Sequence, residues 1–249
     1  MALPCALSLF AEAPATAQPS SRFESILDSV IVFSPVLATA SGEPRQLNLA
    51  VDGITQAVYL AAFSPDAVLQ VVQGQLPRQN PELARSITFA PFSLAKFESL
   101  VHSDLQSNPE VKVVYVPDPS QVSTTQKLLA SQGLSKADAA QTAKRIPAIF
   151  CPQPAFQVTP ESGPLKDQSF VPCSTDFQTV QAMVDRANAQ SLKLNQQQVK
   201  VIAIPVSSFA SMLAKGTDQN VGVIRVLPSP ATIQILQEMR SKTRIRSLD

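Results

Sequence analysis

The sequence predicts an α/β (α+β) fold made of two structurally similar repeats of about 110 residues, related by a pseudo-two-fold, each a small mixed sheet covered by helices. Three observations lead there. First, VVYVPDPSQVSTTQKLL at 113–129 returns as VIRVLPSPATIQILQEM at 223–239. Both are a β-branched run, a proline-marked turn and then helical spacing. Second, landmarks recur in order. Pro35 matches Pro147 at an offset of 112, and Ser64 and Asp66 match Ser174 and Asp176 at 110. Pro91 and Ser93 match Pro205 and Ser207 at 114, 111–116 match 221–226 at 110, and Pro119 matches Pro230 at 111. Third, the period is far too long for a solenoid, so each copy is a whole α/β unit. Each supplies about four strands and needs cover on both faces, and the two sheets are expected to join.

Residues 1–20 read as a leader or a disordered tail, and the first repeat spans 22–134. Phe23, Ile26, Leu27 and Val30 have helix spacing. Residues 31–38 read as a strand, 39–55 with Gly42, Pro44 and Gly53 as a loop, and 56–62 as a second strand. Ser64-Pro65-Asp66 is a helix start: a hydroxyl cap, a proline whose missing N–H costs nothing at the first position, and an acid beside the positive end of the dipole. Asn80-Pro81-Glu82 repeats that signal for a short helix. Residues 86–92 form a half-buried strand ending near Pro91. Ser93 caps a helix bearing Leu94, Phe97, Leu100 and Val101; a strand at 111–116 and a helix at 119–129 follow, closed by Gly133. The second repeat, 135–240, restarts with a polar, alanine-rich helix at 135–145. Then come a strand at 146–150, a loop at 153–167, a strand at 168–173 and a helix started by Ser174-Thr175-Asp176. A strand at 198–204, a helix at 207–215, a strand at 221–227 and a helix at 230–239 complete it, and 241–249 read as a solvated basic tail.

Composition excludes several functions. Lys plus Arg number 20 against 19 Asp plus Glu, a balance that argues against a nucleic-acid footprint or a basic membrane-surface helix. Only 7 glycines are present, too few to suggest phosphate-cradling loops, and no Walker A, G-x-G-x-x-G or G-x-S-x-G pattern occurs. The single histidine, His102, reads as a surface residue with no nucleophile placed opposite it. Asp66 and Asp176 sit in helix first turns, where the dipole accounts for them. No zinc pattern forms, no cofactor is implied, and the protein is expected not to be an enzyme.

The N-terminus, MALPCALSLFAEAPATAQPSS, resembles the end of a secretory signal peptide. A short apolar run precedes two small-x-small patterns, Ala13-Pro14-Ala15 and Ala15-Thr16-Ala17, although a basic n-region is missing. No apolar run reaches the ~20 residues that span a bilayer, so contact with membrane is expected to be peripheral at most. In an oxidising compartment Cys151 and Cys173 form an even pair beside two strands; a disulfide is possible there, and two buried thiols are the alternative. What remains for function is apolar surface. Phe63, Val68, Val71, Phe92, Phe97, Phe177, Val180, Met183, Phe209 and Met212 lie on symmetry-related stripes. Such stripes normally face a core, but paired Phe and Met can also line a groove for apolar segments of client proteins.

Several stretches of the first half stand out together: Ser34-Pro35-Val36-Leu37 with Gly42-Glu43-Pro44, Ala62-Phe63-Ser64, and Gln79-Asn80-Pro81-Glu82-Leu83-Ala84 leading into 87–93. In the second half they are Arg145-Ile146-Pro147-Ala148-Ile149-Phe150, Phe170-Val171-Pro172-Cys173-Ser174 and 199–207. Over about 25–240 these stretches resemble the family of the intermembrane-space subunit of the chloroplast inner-envelope translocon and its cyanobacterial relatives. The resemblance implies an exported protein of the periplasm, thylakoid lumen or intermembrane space. It also implies a chaperone-like role in moving proteins between membranes, unfolded or precursor proteins as partners, delivery to a β-barrel outer-membrane insertase, and one apolar pocket per half. The competing expectation is an exported structural or assembly factor with one fixed protein partner.

Overall fold

The computed structural model describes residues 26–38, 44–46, 48–50, 57–79, 81–108, 110–163, 165–191, 198–215 and 223–246. The leader-like segment and Phe23 lie outside them. The first copy runs from a helical turn at 26–29 through β1 (Ile31–Ala38), β2 (Pro44–Gln46), β3 (Asn48–Ala50), β4 (Ala57–Ala62), α1 (Pro65–Gln79), α2 (Pro81–Ser86) and β5 (Ile87–Ser93). It ends with α3 (Leu94–Ser107), β6 (Lys112–Val116) and α4 (Pro119–Ser131). The second runs through α5 (Lys136–Arg145), β7 (Ala148–Gln153), β8 (Val171–Ser174), α6 (Phe177–Ser191), β9 (Lys200–Pro205), α7 (Val206–Lys215), β10 (Ile224–Leu227) and α8 (Pro230–Arg246).

Hydrogen bonding relates the copies strand by strand. In the first, β1 pairs antiparallel with β5 on one side and with β4 on the other, and β4 pairs parallel with β6. In the second, β7 pairs in the same senses with β9 and β8, and β8 with β10. Each β1/β4-type contact is a single residue pair, Phe33 with Ala62 and Phe150 with Ser174. The first helix residue after each edge strand donates to the residue just before the first strand: Leu94 N–H to the Val30 carbonyl at 2.7 Å, Val206 N–H to the Pro147 carbonyl at 2.9 Å. These pairings set the offsets at 117 for β1 to β7 (33 to 150), 112 for β4 to β8 (62 to 174) and for β5 to β9 with their helices (94 to 206), and 111 for β6 to β10 (116 to 227).

Register corrects three of the five sequence landmarks outright. Pro35 corresponds to Pro152, and Pro147 corresponds to Val30, which precedes its strand. Ser93 corresponds to Pro205. Ser64 corresponds to Asp176, each being the helix cap: Ser64 Oγ accepts from Ala67 N–H at 3.3 Å and Asp176 Oδ2 from Thr179 N–H at 2.8 Å. The 111–116 match moves by one residue, to 111, and the Pro119–Pro230 match stands. Two further expectations change. The segment 39–55, read as loop, contains β2 and β3. Residues 241–246 continue α8, so only 247–249 of the basic tail lie beyond it, outside the described residues.

The sheets do not join; among the described residues no strand of one pairs with a strand of the other. Their alternation instead puts one face of each into a shared central core. Val32, Tyr59 and Ala61 from the first sheet meet Ile149, Val171, Cys173 and Val226 from the second, with α3 and α7 supplying Leu94, Phe97, Val206 and Phe209. The outer face of the first sheet is covered by Ala67, Val68 and Val72 of α1. The outer face of the second is covered by Leu129 of α4, Ala139 of α5 and Val180 and Val184 of α6. Among the described residues, the four largest fully buried side chains are two symmetry pairs, Phe33 with Phe150 and Phe97 with Phe209. Each such burial contributes about 2–3 kcal/mol, so the duplicated scaffold is held by duplicated anchors.

The copies are also interlocked. Although α4 belongs to the first, it lies on the second sheet, and just past its end the Gln132 amide donates to the Ala203 carbonyl at 3.0 Å and accepts from the Ala203 N–H at 2.9 Å. That closes the outer edge of β9. Ser29 Oγ accepts from Val226 N–H at 3.2 Å, on the edge of β10. The sequence boundary at 134–135 is therefore not a boundary in space.

Candidate functional site

The stripes divide once packed. Val68, Phe97, Val180 and Phe209 are completely buried and offer a client no surface, which corrects their assignment to a groove. Phe63 is buried at the rim of an inter-copy cavity. Phe92, Phe177 and Met183 are half-buried. Phe92 packs on the central core and Phe177 stands edge-on to Phe150, centroids 5.8 Å apart. Val71 lines a groove of about 440 Å³ between α1 and the start of α4. Met212 lines the largest groove described, about 740 Å³.

That groove lies on the inner face of the second sheet. Val171, Ile202, Ile204 and Ile224 form its floor, Met212 of α7 one wall, and Pro152, Gln153, Pro154 and Ala155 its mouth, with Lys200 and Gln198 at the rim. Alternation explains the floor, because residues 202 and 204 of β9 share a face with 171 of β8 and 224 of β10. The four floor positions change in both directions between the copies: Tyr59 stands for Val171 and Phe92 for Ile204, but Ala90 stands for Ile202 and Val113 for Ile224. The first copy is aromatic here, with the Phe97 ring 6.5 Å from Phe92 and 6.3 Å from Tyr115, whereas the second is aliphatic. Sequence reasoning missed Val171, Ile202, Ile204 and Ile224 as groove residues. They read as ordinary strand core, alike in residue type to the buried strand residues around them.

Cys151 and Cys173 also line this groove, and their sulfurs are bonded, with Cα atoms 4.4 Å apart. They are directly opposed across β7 and β8, next to the Phe150–Ser174 pair. Ser34 and Ala61 hold the same places in the first copy.

A second cavity, of about 540 Å³, lies where the starts of α1, α4, α6 and α8 converge near the pseudo-two-fold. Its polar groups serve the helices themselves. Asp118 Oδ1 accepts from Ser120 N–H at 2.9 Å, Ser229 Oγ from Thr232 N–H at 3.0 Å, and Asp176 Oδ1 from the Gln121 amide at 3.1 Å. His102 is exposed, its Nε2 2.9 Å from the Gln106 amide nitrogen, and it lines none of the cavities described above. Among the described residues, Glu98 and Tyr115 form a perturbed pair, in which the Tyr115 hydroxyl donates to Glu98 Oε1 at 3.2 Å. Burial raises the Glu98 carboxyl, the hydrogen bond offsetting part of it. Burial raises Tyr115 too, and the neighbouring carboxylate adds to it. The pair sits in the first copy's aromatic cluster, away from the groove.

No family model and no curated protein sequence matches the chain. Solved structures do. The Tic22 of Anabaena, a protein of protein transport, superposes with a TM-score of 0.64 at 13% identity over 87% of this chain and 96% of its own. The chain has the Tic22 fold. Tic22 from Plasmodium falciparum superposes at 0.62 with 10% identity, covering 88% of this chain and 98% of its own. The expected α/β class, with two small mixed sheets and helical cover, is that of the Tic22 fold. Among the described residues, no helix is long and apolar enough to cross a membrane.

Proposed function

We propose that the protein is a chaperone-like factor of protein transport that binds apolar segments of client chains in the groove beside Met212. The observation that carries this reading is the groove itself: an aliphatic floor of Val171, Ile202, Ile204 and Ile224 beneath about 740 Å³ of open space. The Tic22 fold, shared with a protein of protein transport, supports it. An apolar concave surface with a polar rim suits reversible capture of unfolded segments, because binding is driven by area removed from water and not by a fixed set of polar partners. The working compartment is an oxidising one outside the cytosol, the periplasm, thylakoid lumen or intermembrane space, and the cystine is the feature that supports it. The clients are unfolded or precursor proteins, passed on to partners such as a β-barrel outer-membrane insertase, and binding is the whole of the activity, without catalysis or cofactor.

The test is suppression of aggregation of two unrelated, chemically unfolded proteins. The chain is expected to suppress both, and Met212→Glu to reduce suppression by about tenfold in the concentration required, since a charge in the groove adds roughly 1–3 kcal/mol of desolvation. Binding of one fixed partner without any such suppression would instead assign a structural or assembly role.

A further inference from the structure

The second sheet is two ribbons that meet along a seam. β7 and β9 pair over six positions and β8 and β10 over four, while β7 and β8 share the single Phe150–Ser174 pair. Each ribbon has its own tie to the first copy: Gln132 holds β9 through Ala203, and Ser29 holds β10 through Val226. The groove floor straddles the seam. Ile202 and Ile204 belong to one ribbon, Val171 and Ile224 to the other. Cys151 stands directly opposite Ile202, and Cys173 is two residues beyond Val171 on the same face. The cystine therefore joins the two halves of the floor where they meet. The fold itself does not require a bond at this place, since Ser34 and Ala61 stand there in the first copy.

We propose that the cystine is a redox clasp on the client groove. Bonded, it holds the floor as one continuous apolar surface that grips a client; reduced, it lets the ribbons shift apart and the client go. The inference rests on the groove being the client site and adds the control of that site. The reductant is a dithiol of the C-x-x-C class. Cys151, 6% exposed against 0% for Cys173, is the sulfur within reach from the groove. One thiolate of the dithiol attacks Cys151 Sγ, forms a mixed disulfide and releases Cys173 as a thiolate, which takes up a proton. The second thiolate of the dithiol attacks the first across that mixed disulfide, closes the reductant's own disulfide and releases Cys151, which is protonated in turn. Two electrons and two protons pass from the dithiol to the cystine. A client lying in the groove covers Cys151 and needs both halves of the floor. A floor fixed before binding has less freedom to lose than two ribbons that must be brought back into one surface. Client binding and the bonded state therefore favour each other, and by linkage to the same extent.

The full chain is equilibrated in mixtures of reduced and oxidised dithiothreitol, and the bonded fraction is read by thiol labelling. The client probe is reduced, carboxymethylated lactalbumin, an unfolded chain with no thiol of its own. Saturating probe is expected to raise the reduced-to-oxidised ratio at the midpoint about tenfold, and the reduced chain to bind the probe about tenfold more weakly than the oxidised one. Cys151→Ser with Cys173→Ala is expected to bind as weakly as the reduced chain and to ignore the redox buffer. Met212→Glu is expected to keep the parent's midpoint without the probe and to show a smaller shift with it at the same probe concentration. Equal or tighter binding by the reduced chain would leave the client site standing and overturn the clasp. So would a bond that yields to dithiothreitol only when the chain loses its cooperative urea transition. Absence of probe binding in both redox states would overturn the clasp and the client site together.

Discussion

Glu98 is where one residue sets a measurable property of the whole. Burial against Tyr115 makes its charged form costly, so the folded chain holds the proton to a higher pH than the unfolded chain does. The stability that the neutral carboxyl contributes is fully present below the unfolded value of 4.5 and is lost as pH rises through the raised folded value. Glu98→Gln keeps an acceptor for the Tyr115 hydroxyl and removes the charge. The variant is expected to be more stable than the parent in urea at about pH 7 and equal to it at about pH 3.5, with the difference appearing between them. A difference that persisted at the acid end would assign the effect to packing. The corresponding residue of the second copy is Ala210, so the effect belongs to one half alone.

At the scale of elements, β7 and β8 depend on their sulfurs. One residue pair joins them through the backbone, while β7 and β9 share six. The bond closes a loop of 22 residues and is worth about 3 kcal/mol by its restriction of the unfolded chain. Cys151→Ser with Cys173→Ala installs the pair that the first copy already uses in Ser34 and Ala61, so folding is expected to survive with a loss of about that size in denaturant. A loss near zero would mean that the strands are held from elsewhere. The strand–proline–helix phrases were readable because their prolines mark the same joint in both copies, at Pro119 and Pro230. Pro35 and Pro147 misled because one lies within its strand and the other before it; register is decided by hydrogen bonding, which proline spacing does not encode. β2 and β3, of three residues each, are too short to show alternation. The site was half readable for a related reason. Phe209 and Met212 stand three apart on one helical face, and the stripe alone does not say that the first is sealed in the core and the second borders the groove.

At the scale of the molecule, duplication made a scaffold and divergence made it unequal. One copy has Tyr59 and Phe92 on its inner face and β2 along its first strand; the other has Val171 and Ile204 on that face, in the floor of the groove. The halves cannot be separated cleanly, because α4 rests on the second sheet and Ser29 caps an edge of β10. A chain of residues 22–134 alone is therefore expected to unfold in urea without a cooperative transition, and to regain one when mixed with 135–249. A sharp transition from 22–134 alone would show that the first half is a domain in its own right. The Gln132 contact reaches a residue 71 positions later, and the Ser29 contact one 197 positions later. A ribosome or an export pore delivers the amino end first, so while the next 71 residues arrive this chain holds a helix whose seat is still missing. Until its own last strand emerges, a protein proposed to guard unfinished chains is an unfinished chain itself.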